Sequence, residues 1–160
     1  TAHVIALLDN TVLSNFTAIE RSDLVRVALG ADAATSEAAW AELQAGIRIG
    51  KLPSQSWSWL PILSLTEAET PLYHLLLERL NAGEASCLAI AAARGCRVFT
   101  DDRDARELAA RWRIPISGTL GILMRLVDVK ALSPAVGDAL LAGMIAAGYR
   151  CPVASLQELF

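Results

Sequence analysis

Five carboxylates stand out in this 160-residue chain by where they fall. Asp9 closes the apolar run His3-Val-Ile-Ala-Leu-Leu-Asp9. Asp101 and Asp102 follow the short apolar stretch Arg97-Val-Phe-Thr100. Glu84 heads a segment whose only other charge before Gly95 is Arg94, and Glu42 sits within the Ala-rich stretch "SEAAWAELQAG". Imidazoles and thiols offer no competing chemistry. His3 and His74 are isolated, and Cys87, Cys96 and Cys151 have neither a CxxC spacing nor a neighbouring His. An oxygen-only donor set selects a hard divalent ion, Mg²⁺ or Mn²⁺. Such a site lowers the pKa of a bound water and stabilises the charge of an in-line displacement at phosphorus. Each acid also has a purely structural use: an N-cap after a strand, a favourable charge at a helix start, or a solvated helix face.

These acids converge only if the elements carrying them form a parallel sheet. A continuous apolar run suits a strand covered on both faces. Helical patterns follow at 11–19, 22–29 and 36–49, with Ser36 as N-cap, and then an irregular stretch at 50–64 with a short strand near 61–65. Thr66 to Glu69 has capping-box form and predicts a helix to about Leu80, broken by Asn81-Ala-Gly83. A buried helix is predicted over 84–94, ended by Gly95, then a strand over 97–100, a helix over 104–112, a strand over 114–117 and a helix over 119–129. Further helical pieces at 136–147 and 152–159 close the chain. Strands alternating with helices imply a three-layer α/β/α fold with a central parallel sheet and extra C-terminal helices. We read 1–160 as one domain, with a core to about 130 and a helical appendage over 131–160. In such sheets ligands bind beyond the carboxyl ends of the strands. If the strands before Asp9 and Asp101 are neighbours they lie about 4.8 Å apart, which puts Asp9 and the Asp101-Asp102 pair in range of one cation.

Composition narrows the class. The chain is 54% hydrophobic and 19% charged, with a mean hydropathy of +0.41, which excludes intrinsic disorder. Its apolar runs are far shorter than the roughly 20 residues that a membrane-spanning helix needs. An odd number of cysteines fits buried thiols in the cytoplasm. Net charge is −3, but it is unevenly spread: the first 90 residues carry ten acids and five bases, the last 70 seven acids and nine bases. Twelve of the fourteen bases are Arg, the side chain suited to bidentate phosphate contact. Arg103 and Arg106, beside the Asp pair, are the candidates to hold a polyanionic substrate. Trp40, Trp57, Trp59 and Trp112 could stack on bases, although packing is the commoner use of such residues.

Taken in order, "LLDNTVLSNF", "AAWAEL", "NAGEASCLAIAAARG", "VFTDDRDAREL" and "IPISGTLGIL" resemble a PIN-domain protein, closest to an uncharacterised prokaryotic, VapC-like subgroup. The resemblance implies a Mg²⁺- or Mn²⁺-dependent ribonuclease, often a dimeric toxin silenced by a small antitoxin protein. It further implies that Asp9, Glu42, Glu84 and Asp102 are catalytic metal ligands, that Asp101 is an added carboxylate and that Thr11 supports Asp9. Asn10 departs from a more usual Thr or Ser. Glu84 stands where many PIN domains carry Asp, which lengthens the reach by one methylene. The alternative is a PIN-fold module that binds RNA without cutting it. A third reading, a receiver or haloacid-dehalogenase phosphotransfer domain, lacks its Lys between Arg113 and Gly121 and its second Asp, where Thr11 stands.

Overall fold

The computed structural model describes residues 6–159, so His3 and the start of the first apolar run lie outside the described residues. Five short strands, β1 (Ala6–Leu8), β2 (Ala33–Ser36), β3 (Ile62–Leu63), β4 (Arg97–Phe99) and β5 (Ile116–Ser117), form a parallel sheet in the order β3-β2-β1-β4-β5. Eight helices are described: α1 (Asn10–Ala18), α2 (Ser22–Leu29), α3 (Glu37–Arg48), α4 (Thr70–Leu76), α5 (Ala82–Arg94), α6 (Arg103–Arg111), α7 (Thr119–Asp128) and α8 (Pro134–Ala146).

Side chains alternate across the pleat, so each face of the sheet has its own core. Ala6, Leu8, Ala33 and Phe99 pack with the large apolar side chains of α1, α2, α7 and α8, among them Leu13, Phe16, Leu123 and Leu141. Leu7, Ala34 and Val98 face the Ala-rich α5 and its neighbours α4 and α6. The result is the expected three-layer α/β/α arrangement. Leu141, Met144 and Leu156 are fully buried in the first core, so the C-terminal part is integral to that layer. Trp57 is also core and donates Nε1–H to Thr17 Oγ1 at 2.9 Å, Trp40 and Trp59 pack around it, and Trp112 is 46% exposed.

Chain order explains why one sheet edge position matters. From β1 the chain winds outward through β2 to β3, then returns to the other side of β1 for β4 and β5. The reversal lies between β1 and β4, paired with Leu8 opposite Phe99. Crevices for ligands open at such reversals, beyond the strand carboxyl ends. A receiver domain has the order 2-1-3-4-5, which this sheet does not share.

Several local expectations are corrected. β2 was not anticipated, because Ala33-Ala-Thr-Ser36 has almost none of the β-branched bulk that marks strands; buried on both faces, it needs small side chains instead. Asn81-Ala-Gly83 does not break a helix but starts α5: Asn81 accepts from Glu84 N–H at 2.9 Å and Glu84 accepts back from Asn81 N–H at 3.3 Å, a capping box. The helix toward Leu80 ends at Leu76 and continues as turns. In place of a helix over 152–159 there is a 3-10 turn at Leu156–Leu159.

Candidate active site

Asp9 is the first residue past β1 and is fully buried. Its Oδ1 accepts from the Thr11 N–H at 2.9 Å, the Thr11 hydroxyl at 2.5 Å and the Val12 N–H at 3.3 Å, which caps α1. Its Oδ2 accepts a short hydrogen bond from the Thr100 hydroxyl. The two threonines also face the other strand end. Thr11 Oγ1 accepts from Asp101 N–H at 2.9 Å, and Thr100 Oγ1 accepts from Asp102 N–H at 3.2 Å. Two hydroxyls therefore lace the ends of β1 and β4 together through Asp9.

Asp102 caps α6 by accepting from Ala105 N–H at 2.8 Å. Its carboxylate also meets that of Glu84, which is 6% exposed. Burial, followed by contact with Asp102 and the field of Asp9, pushes the Glu84 carboxyl up to about 8. Burial likewise raises Asp9 to about 7 against the lowering effect of its hydroxyl partners, with the Asp101 charge a further raising cause. Like charges gathered out of water behave this way when nothing positive stands among them. Asp9, Glu84 and Asp102 thus form one acidic group at the strand reversal. The capping uses are real as well, so each acid serves a helix start and the group together.

Glu42 comes close from α3. Its Oε2 accepts from Gly83 N–H at 3.2 Å, one of the unpaired amides at the start of α5, while its Oε1 is buried with no hydrogen-bond partner. Burial raises its pKa, opposed by the Gly83 amide. A Cβ on Gly83 would lie 2.0 Å from Glu42 Oε1 and 3.1 Å from Ala39 Cα, so only glycine lets α3 and α5 approach here.

Asp101 points elsewhere. Its Oδ1 accepts from Thr119 N–H at 2.9 Å, and its Oδ2 from the Thr119 hydroxyl at 2.5 Å and Asn15 Nδ2 at 3.0 Å. Burial raises its pKa against these donors. Asn15 and Thr119 went unremarked as site residues. An Asn in mid-helix, where it disfavours helix formation, is the signal that could have drawn attention to the first. Arg106 Nη1 donates to Thr100 O at 2.8 Å and Ser117 O at 3.2 Å, fixing it over the ends of β4 and β5. Arg103 is exposed and pairs with Glu107 at 3.4 Å.

Among the described residues, no three His, Cys, Asp or Glu side chains are arranged as they stand to hold one ion. The bonds above account for this: both Asp9 oxygens are taken by the Thr11 and Thr100 hydroxyls, Asp102 is turned to the Ala105 amide, Asp101 to Thr119 and Glu42 to the Gly83 amide. The donor chemistry nonetheless fits Mg²⁺ or Mn²⁺. It is all oxygen, one buried carboxylate oxygen lacks a partner, and burial raises four of the carboxyls, Asp9, Glu42, Glu84 and Asp101.

No described helix is long and apolar enough to cross a membrane. A search of curated proteins finds no match. A family model described as PIN domain matches residues 5–160. PIN domains are typically nucleases that use divalent metal ions. That match covers nearly the whole chain and includes every strand-end acid, so the chain belongs to the PIN-domain family.

Proposed function

We propose that the protein is a Mg²⁺- or Mn²⁺-dependent endoribonuclease that hydrolyses RNA phosphodiester bonds beyond the carboxyl ends of β1 and β4. The observation that carries this reading is the meeting of the buried Asp9 and Glu84 with Asp102 at the strand reversal. Those three would hold the ion, with Glu42 Oε1 and Asp101 as the next carboxylates. A bound divalent ion supplies an activated water and charge stabilisation at phosphorus. Thr11 and Thr100 orient Asp9. Glu84, whose carboxyl is raised by burial and by Asp102, would have to release its proton for an ion to bind there. Arg103 and Arg106 bind substrate phosphates. Within this reading the protein acts in the cytoplasm as a homodimeric toxin, silenced by a small antitoxin protein.

The test is cleavage of single-stranded and structured RNA by purified protein with Mn²⁺ or Mg²⁺. Asp9→Asn is expected to reduce cleavage to background; unchanged cleavage by that variant rejects the assignment. A second reading, RNA binding without cleavage, is favoured by the absence of three acids arranged for one ion among the described residues. Calorimetry decides between them: the nuclease reading expects divalent-ion binding below millimolar. The toxin role expects growth arrest on induced expression, relieved by co-expressing a small neighbouring reading frame.

A further inference from the structure

Next to the acidic group lies a cleft of about 940 Å³ between α6, the start of α7 and the segment 149–152. That is within the roughly 300 to 1,000 Å³ that small-molecule sites occupy, and large enough for more than one nucleotide. Three guanidiniums line it, Arg103, Arg106 and Arg150, and Tyr149 stands among them. Asp101 also lines it, so the cleft is continuous with the strand end that follows β4. Arg106 is held rigidly by two backbone carbonyls through one nitrogen, which leaves the rest of its five donors for a ligand. Tyr149 and Cys151 pack against the core beside the cleft, and the Tyr149 hydroxyl lies close to Cys151 and Asp101.

We propose that this cleft is a nucleotide subsite. It holds the unit of an RNA strand adjacent to the one at the acids, with Arg150 and Arg106 on its phosphate and Tyr149 against its base. The inference rests on the nuclease reading and extends it, because it makes residues 149–152 part of substrate recognition. Neither Tyr149 nor Arg150 belongs to the acidic group. A strand with one phosphodiester at Asp9 must carry its next phosphate across a neighbouring surface. Of the clefts described, this is the one lined by an acid of the β4 end, Asp101; another, of about 330 Å³, is lined by Arg97 and Arg125 together with Ala6, Phe99 and Ser117.

The experiment is fluorescence anisotropy of a labelled single-stranded RNA octamer with the full chain in EDTA, across a salt series. Arg150→Ala, an exposed position, is expected to weaken binding about tenfold. It should also lower the salt slope by about 0.7, the loss of one phosphate contact on a single strand. Tyr149→Leu should weaken binding about fivefold or more with the slope kept, as for a lost stacking contact. Arg48→Ala, at the far end of α3, should change neither. Wild-type affinity and slope in Arg150→Ala overturn the subsite, as does displacement of the RNA by an oligoglutamate peptide at equal concentration, which would make the cleft a peptide site. Cleavage with Mn²⁺ on the same proteins separates the two ideas. Normal cleavage with Arg150→Ala unaffected leaves the nuclease and removes the subsite. No cleavage by wild type, with binding still lost in Arg150→Ala, leaves the subsite and removes the nuclease.

Discussion

One helix, α5, has a buried glutamate at each end, and the two are treated in opposite ways. At its C-terminal end Arg94 grips Glu69 with Nε at 2.7 Å and Nη2 at 3.0 Å, and this contact holds the Glu69 carboxyl below its usual range. At its N-terminal start Glu84 is almost as buried, yet its neighbours are Asp102 and Asp9, and its carboxyl is pushed up to about 8. Burial of a charge is costly unless it is paired. The Glu69 end is complete as a piece of protein, its charge paired by Arg94, whereas the Glu84 end gathers buried acids against one another.

The largest effect should come from opening the complete end. Arg94→Ala leaves Glu69 buried without its partner and is expected to cost about 3 kcal/mol, read by chemical denaturation. A loss below about 1 kcal/mol would erase the contrast. Glu84→Gln sharpens it from the other side. Asp9 and Glu84 bind protons more tightly folded than unfolded, so the stability they contribute is full below their ordinary values of 3.8 and 4.5 and is lost as pH rises through about 7 and 8. Glu84→Gln should flatten that loss and raise stability at pH 8, while weakening Mn²⁺ binding. Thermal unfolding from pH 5 to 8, with and without Mn²⁺, checks both parts, and a steeper loss in the variant would contradict the assignment of charge deficit.

A smaller effect is expected where Asp101 is held. Thr119→Val removes the hydroxyl that Asp101 accepts from, at a cost of about 1 kcal/mol. Arg103→Ala should leave the melting temperature unchanged, since its pair with Glu107 is exposed. In RNA binding, however, it should lower the salt slope by about 0.7.

The acids themselves were legible because each follows a recognisable signal: an apolar run before Asp9, the strand Arg97–Phe99 before the Asp pair, and a helix start at Glu84. The adjacency of β1 and β4 was a condition of that reading and not a result of it, because nothing in either short apolar run names its neighbour; the sheet order supplies it. The strand β2 was not legible, since two alanines, Thr35 and Ser36 are chosen for size between two layers and leave no propensity signal. Nor was the different orientation of Asp101. It depends on Asn15 and Thr119, which lie 86 and 18 residues away from it in sequence. Glu42 could be placed on a helix, but its reach to the Gly83 amide depends on how closely α3 and α5 approach, which the Ala- and Gly-rich sequences permit without specifying.

Gly118 shows how little material separates these parts. A single added carbon there would sit 2.4 Å from Asp101 Oδ1, 3.0 Å from the Thr100 carbonyl and 3.1 Å from Arg106 Nη1. One methyl group would act as a wedge between an acid, a strand end and a guanidinium at once. Gly118→Ala is therefore a charge-neutral way to disengage the arginine cleft from the acids while every functional side chain remains in the sequence.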